Sequence, residues 1–227
     1  MNNDESVVYA GEHPLTEANP LHRRISRILK TTTNFSIPFE DRFVEDHAVL
    51  VMMLQMLRSM GCVIVFLTGV WDLFHIGHGD YIERGKEEAR KLFPDAEHII
   101  MVVGVDTDVL TRERKGDDRP VVPQDERARV LRHLRSVDII TLQFELAQLY
   151  GVVTPDVQIV STSTKDLPAG MEVIRANCTH LVNLPPQAET SSTARIRRLT
   201  FEGAAGMLIK VEHVLSTALK AIRDELK

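Results

Sequence analysis

Cysteine is scarce in this sequence: Cys62 and Cys178 are the only two among 227 residues. They lie far apart and show no metal-ligand spacing. That excludes a disulfide scaffold and favours a reducing compartment, so a cytoplasmic location is expected. An excess of positive charge is also missing, with 27 Lys and Arg against 32 Asp and Glu for a net charge of −5. A broad surface for nucleic acid is therefore not expected, while a local basic pocket remains compatible. No secretory signal is visible, because the first thirty residues are polar. Internal repeats and low-complexity tracts are absent. The longest apolar stretch, 49–71, is broken by Arg58, Ser59 and Gly61. It reads as a buried helix ending near Gly61 and a following strand, not as a membrane span. No Ser or Cys stands in an arrangement that would activate it as a nucleophile.

What is present is the balance of an ordinary globular protein, 44% hydrophobic and 26% charged, long enough to bury a sizeable core. Residues 1–42 are aperiodic and read as a partly ordered N-terminal extension with a short helix around 22–29. From Phe43 onward helix and strand patterns alternate. A helix at 43–60 is apolar on several faces and carries Met52, Met53, Met56 and Met60. Burial between layers is the favoured reading, and a subunit interface is the alternative. Strands are expected at 62–67, 98–105, 138–142, 157–160 and 180–184. Helices are expected from near Gly77 and at 124–135, 144–150, 169–176 and 206–226. The run at 98–105 is almost continuously apolar, as in a parallel sheet covered on both faces. The expected architecture is α/β, a Rossmann-like doubly wound parallel sheet of about five strands. The main domain would span 43–200, and 201–227 would form a C-terminal helix packing on that domain or on a partner subunit.

Ligands of such folds gather beyond the C-terminal ends of strands. The first strand ends in Thr68-Gly69-Val70-Trp71-Asp72-Leu73-Phe74-His75-Ile76-Gly77-His78. Gly69 lets the chain turn, and Gly77 admits a ligand close to the backbone. His75 and His78 are spaced to share one side of a first helical turn. The amides at that helix start favour an anion, and two imidazoles there can donate to phosphate oxygens. A lone histidine is more often structural, whereas two flanking a glycine at a strand tip are harder to dismiss.

A second group is Lys115-Gly116-Asp117-Asp118-Arg119-Pro120-Val121-Val122-Pro123, then Asp125-Glu126-Arg127. Its cations suit a triphosphate, although a charged loop of this kind is equally often just solvated. A third, Glu189 to Arg198, places Ser192 or Thr193 as N-cap of a helix. After the strand near 157–160 come Ser161, Thr162, Ser163, Thr164 and Lys165, whose hydroxyls and ammonium suit a phosphorylated acceptor.

The pattern Gly69-x-Trp71-Asp72-x-x-His75-x-Gly77-His78 resembles the signature of the cytidylyltransferase-like nucleotidylyltransferases. Class I aminoacyl-tRNA synthetases share the His-x-Gly-His element, but this chain is too short for one and has no lysine-rich second signature. The second group, with its Glu-Arg and a leucine-rich helix ending in Val137-Asp138, closely resembles the adenylyltransferase domain of ADP-heptose synthase. The third resembles the Ser-Thr-Thr-x-Ile element of the same family, with Ala194 in place of the second threonine. The acceptor loop departs from the family's usual Gly-Asp.

The resemblance implies transfer of AMP or CMP from ATP or CTP to a small sugar or polyol phosphate, with release of pyrophosphate. It implies catalytic roles for His75, His78, Lys115 and Arg127. Nucleotide contacts are implied for Gly69, Trp71, Asp72, Gly77, Asp108, Ser192 and Thr193, although Asp108 could equally cap a loop. Ser161, Thr162 and Lys165 are the acceptor candidates. No resident metal site is read, and Mg²⁺ is expected bound mainly through the nucleotide phosphates. A homodimer is implied, with the helix at 43–60 or the final helix as the interface. A catalytically weak nucleotide-binding module with an assembly or regulatory role is the second reading.

Overall fold

The computed structural model describes residues 19–29, 37–162, 167–187 and 192–225, with side chains left undescribed at 167–170, 192–195, 197 and 218–225. Five runs form strands, the first four rich in β-branched residues: β1 (Val63–Gly69), β2 (Ile99–Asp106), β3 (Ile139–Gln143), β4 (Val157–Ser161) and β5 (His180–Leu184). They lie in the order β3-β2-β1-β4-β5, every pair parallel. The doubly wound parallel α/β sheet expected from the sequence is thus the observed fold.

A parallel sheet must be covered on both faces, and alternating side chains divide this core accordingly. Val65, Leu67, Met101 and Val103 pack with Ile82 and Ala89 of α4 (Ile76–Leu92) and with Ala128 and Leu131 of α6 (Gln124–Leu131). Ile64, Phe66, Ile100 and Val102 pack on the other side. Their partners there are Ile25 and Ile28 of α1 (Pro20–Leu29), Leu50 to Leu57 of α3 (His47–Ser59), and Leu149 and Val153 of α7 (Gln148–Val153). Two short helices, α2 (Phe39–Arg42) and α5 (Asp108–Lys115), together with α8 (Leu167–Ala176), complete this first unit. All eight residues of β2 are buried.

Local chemistry sets the ends of these elements. Asp46 caps α3 by accepting from the amides of Ala48 and Val49 at 2.8 and 3.4 Å. That cap starts the helix four residues later than the apolar pattern suggests, while Phe43 pairs with Ile140 instead. Its Met53 is buried and its Met52 half-exposed, so the methionine-rich helix is buried on one face. At the amino edge of the sheet two carboxylates serve strand amides. Asp138 accepts from Met101 N at 2.7 Å and pairs with Lys86 at 2.6 Å. Asp156 accepts from Ile64 N at 2.7 Å. The Val-Asp element at 137–138 is therefore a structural tie. Burial first, then the charges of Glu97 and Asp138, push the Cys62 thiol up to about 11, so it stays protonated at neutral pH.

Contacts divide the chain into two compact units, Met1–Gln187 and Ala188–Lys227. The second is dominated by one 34-residue helix, α9 (Ser192–Glu225). It begins well before the 206–226 read from the sequence. Among the described residues no helix is long and apolar enough to cross a membrane.

Candidate active site

The sheet's order reverses at β1, whose neighbours are β2 and β4. The crevice beyond the carboxyl ends of these strands is where such folds bind ligands. Gly69 closes β1, and a Cβ there would come within 3.2 Å of the Trp71 ring. The chain then makes an unusual turn: Trp71 and Leu73 both adopt left-handed backbone, with φ of 59° and 47°. Each such non-glycine residue costs about 1–2 kcal/mol, so the surroundings must hold it there. Trp71 is held by the core, and its indole N–H donates to the Gly104 carbonyl at 2.8 Å.

Asp72, between these two residues, is only 2% exposed. Its carboxylate accepts from Val121 N at 3.0 Å, Val122 N at 2.9 Å and Arg119 Nε at 2.8 Å. Burial alone would raise its pKa. The two amides and the guanidinium outweigh burial and hold the carboxyl below its ordinary value.

The turn delivers His75 to the N-cap of α4 in extended conformation, with no side-chain cap and no acidic residue in the first helical turn. An uncapped helix start without a carboxylate is suited to an anion. His75 and His78 stack with ring centroids 3.9 Å apart and planes 21° apart. Trp71 and Phe74 back the His78 ring at 5.5 and 5.3 Å. Gly77, between the histidines, is buried.

The second group is partly helical. Thr107 caps α5 by accepting from Leu110 N at 3.3 Å, Asp108 follows in its first turn, and Gly116 ends it at φ 95°. Lys115 is thus the exposed last residue of α5 and not a loop residue. The Thr-Asp start and the glycine stop were signals for this short helix. Arg127 is 1% exposed and faces protein with every nitrogen. Its Nε donates to Val122 O at 2.8 Å, one terminal nitrogen donates to Val70 O, and the other meets Asp108 at 2.6 Å. Arg127 therefore stands behind the site and joins the turn at Val70, the loop at Val122 and the start of α5, where Asp108 is its ion partner.

Three further residues, Asp106, Arg114 and Gln143, carry no role in the sequence reading. Asp106, fully buried at the end of β2, pairs with Arg114 and accepts from the Gln143 amide at 2.9 Å. Burial pushes its carboxyl up, against the pull of Arg114, Lys115, Arg127 and Gln143. Arg119, one of the cations read as suiting a triphosphate, is paired with Asp72. An acidic residue closing an apolar strand was the available signal for Asp106.

Three carboxylate–guanidinium pairs, Asp72–Arg119, Asp106–Arg114 and Asp108–Arg127, thus line one end of the sheet. Ser161 ends β4 beside β1, and Thr162 N donates to Leu184 O at 3.0 Å. Lys165 lies outside the described residues. Ser192 and Thr193 open α9 in the second unit, with side chains outside the described set. Among the described residues no cluster of three His, Cys, Asp or Glu could hold a metal ion.

The family model for cytidylyltransferase-like proteins matches residues 66–198. The bifunctional protein HldE of a Nitratiruptor species is 30% identical over 158 residues, which make up 69% of this chain and 31% of that protein. The HldE of Desulfatibacillum aliphaticivorans is 31% identical over 147 residues, 63% of this chain and 28% of that one. The chain thus spans less than a third of the length of these curated relatives. A crystal structure of the lipopolysaccharide core biosynthesis protein from Thermoplasma volcanium shares 24% identity at a TM-score of 0.41. It covers 54% of this chain and 95% of that one. The fold is read from the strand order and not from that superposition. With more than half of its length matched, including both histidines, Lys115 and Arg127, the chain belongs to the cytidylyltransferase-like family of nucleotidyltransferases.

Proposed function

We propose that the chain transfers AMP or CMP from ATP or CTP to a small phosphorylated acceptor, a sugar or polyol phosphate. The carrying observation is the stacked pair His75 and His78 on the uncapped start of α4. The two curated relatives, both bifunctional HldE proteins, and the resemblance to the adenylyltransferase domain of ADP-heptose synthase favour ATP and a heptose-phosphate-like acceptor.

An anionic oxygen of the acceptor phosphate attacks the α-phosphorus. The bond from that phosphorus to the oxygen bridging to the β-phosphate breaks, and pyrophosphate leaves with the electron pair. The nucleophile is already charged, so no strong general base is required. Catalysis rests on in-line positioning and on donors aimed at the developing charge. His75 and His78 donate to the α- and β-phosphate oxygens, and the α4 amides add their dipole. Lys115 supplies a cation to the triphosphate. Arg127 acts through the backbone it holds. The resemblance assigns the far phosphates to Ser192 and Thr193, and Ser161, Thr162 and Lys165 are the acceptor candidates. Asp72, Asp106 and Asp108 are each paired with an arginine, and Mg²⁺ would be held through the nucleotide and would neutralise charge on its phosphates. Such an ion is carried mainly by phosphates.

The test is pyrophosphate release with ATP and with CTP across heptose-, glycerol- and ethanolamine-phosphate acceptors. His78→Ala should lower kcat at least about a hundredfold, the size common for a lost electrostatic stabiliser. Near-normal turnover by the purified variant removes His78 from the mechanism. Nucleotide binding without pyrophosphate release for any acceptor would instead identify a binding module.

A further inference from the structure

We propose that Asp72 is a positioning residue that clasps the histidine turn to the loop that follows Lys115 and so sets the geometry of the triphosphate site. This rests on the transfer reading above. The resemblance alone gave Asp72 a direct nucleotide contact. At 2% exposure, with three donors supplied by protein, its carboxylate reaches a nucleotide only through what it holds.

All three donors come from 119–122, far along the chain from Asp72. Asp72 lies three residues before His75, and Arg119 lies four residues after Lys115. One carboxylate therefore fixes the separation of the groups assigned to the α-phosphate and to the triphosphate charge. The backbone is held against its own preference at both neighbours, Trp71 and Leu73. Left-handed non-glycine residues persist only where surroundings over-determine them, and they gather at functional turns. Trp71 is over-determined by the core. On the far side of that turn the fastening is Asp72. Arg127 braces the same junction from behind, through Val70 O on one loop and Val122 O on the other. The clasp is thus a small two-loop unit, with Arg119 as its charged partner at 2.8 Å.

The experiment uses the full chain and the variants Asp72→Asn, Arg119→Ala and the double variant. Two readouts are taken: amide hydrogen exchange at Val121 and Val122, and steady-state pyrophosphate release. In each single variant both amides should exchange about tenfold faster or more, as local opening becomes easier. kcat should fall about ten- to a hundredfold, with nucleotide KM changed less than about threefold, as displaced catalytic groups predict. The double variant should be no worse than the worse single one, because the two side chains act as a unit. Arg119→Ala carries the same test should Asp72→Asn not fold. Unchanged exchange at Val121 and Val122 overturns the clasp. A large rise in KM with kcat intact also overturns it and returns Asp72 to direct nucleotide contact. If the wild-type chain releases no pyrophosphate with any acceptor, the transfer reading fails, while the exchange data still decide the clasp.

Discussion

The strand β2 and the helix α9 are both rich in large apolar residues, yet they stand at opposite extremes of burial. Every residue of Ile99–Asp106 is buried. In α9, Leu199, Phe201, Met207, Leu208, Ile209, Val211, Val214 and Leu215 are 54–77% exposed. Apolar content does not itself specify burial. β2 has β1 and β3 on its flanks and a helical layer on each face, all supplied within the first unit. Among the described residues of the second unit, α9 finds no comparable cover for these side chains. The first unit completes its own core. The long helix displays the raw material of one, with Gly203 and Gly206 weakening its middle.

Matched substitutions sharpen this contrast. Leu67→Ala, in β1 at 0% exposure, should cost about 2–5 kcal/mol, as a truncation with little room for collapse does. Leu208→Ala, at 70% exposure, should stay within about 0.5 kcal/mol. Urea unfolding of both measures the difference. A cost at Leu208 approaching that at Leu67 would mean that α9 is covered in solution and would dissolve the contrast. Glycines give the next largest effect. A Cβ on Gly104 would come within 2.7 Å of Leu149 and 2.8 Å of Thr68, both packed at the sheet. Gly104→Ala should destabilise by about 1–3 kcal/mol, the usual size for overpacking. A Cβ on Gly206 meets nothing within 4 Å. Gly206→Ala should stabilise α9 by about 1 kcal/mol, the helix-propensity difference, read as slower amide exchange along that helix.

The smallest expected effect is that of pH on the clasp. The folded pKa of Asp72 lies below its ordinary value. Its contribution is therefore complete above the unfolded carboxyl pKa of about 3.9 and is lost as pH falls through the folded value. The stability difference between wild type and Asp72→Asn should be flat near neutrality and shrink below about pH 4. A difference that instead fades between about pH 6 and 8, the range in which histidines titrate, would assign it to another group.

Much of the fold was legible because its signals are local. Strands β1 to β5 were placed within two residues at each end, since a buried parallel strand is a short apolar run between breakers. The helix α3 was found but begun too early, because its apolar pattern runs past the Asp46 cap. A short helix was expected around 22–29, and α1 spans Pro20–Leu29. The short α5 was missed because its eight residues show little periodicity and only its caps mark it. The helix start read at Ser192 or Thr193 is where α9 begins, but that helix continues unbroken through 206–226, which was read as a separate helix.

The site divides along the same line. The two histidines flanking a glycine at a strand tip pointed to phosphate chemistry by spacing and residue type, and the resemblance added the cations at 115 and 127. What those groups do depends on neighbours that only folding supplies. Arg127 looked like a triphosphate ligand until burial turned its nitrogens onto Val70, Val122 and Asp108. Asp72 looked like a nucleotide contact until the turn between two left-handed residues aimed it at 119–122. Composition, periodicity and motif order are properties of neighbouring residues and are written in the sequence. The partner of a buried charge is chosen by desolvation, which forces each carboxylate onto whatever donor the packed sheet brings within reach, and that choice belongs to the tertiary structure.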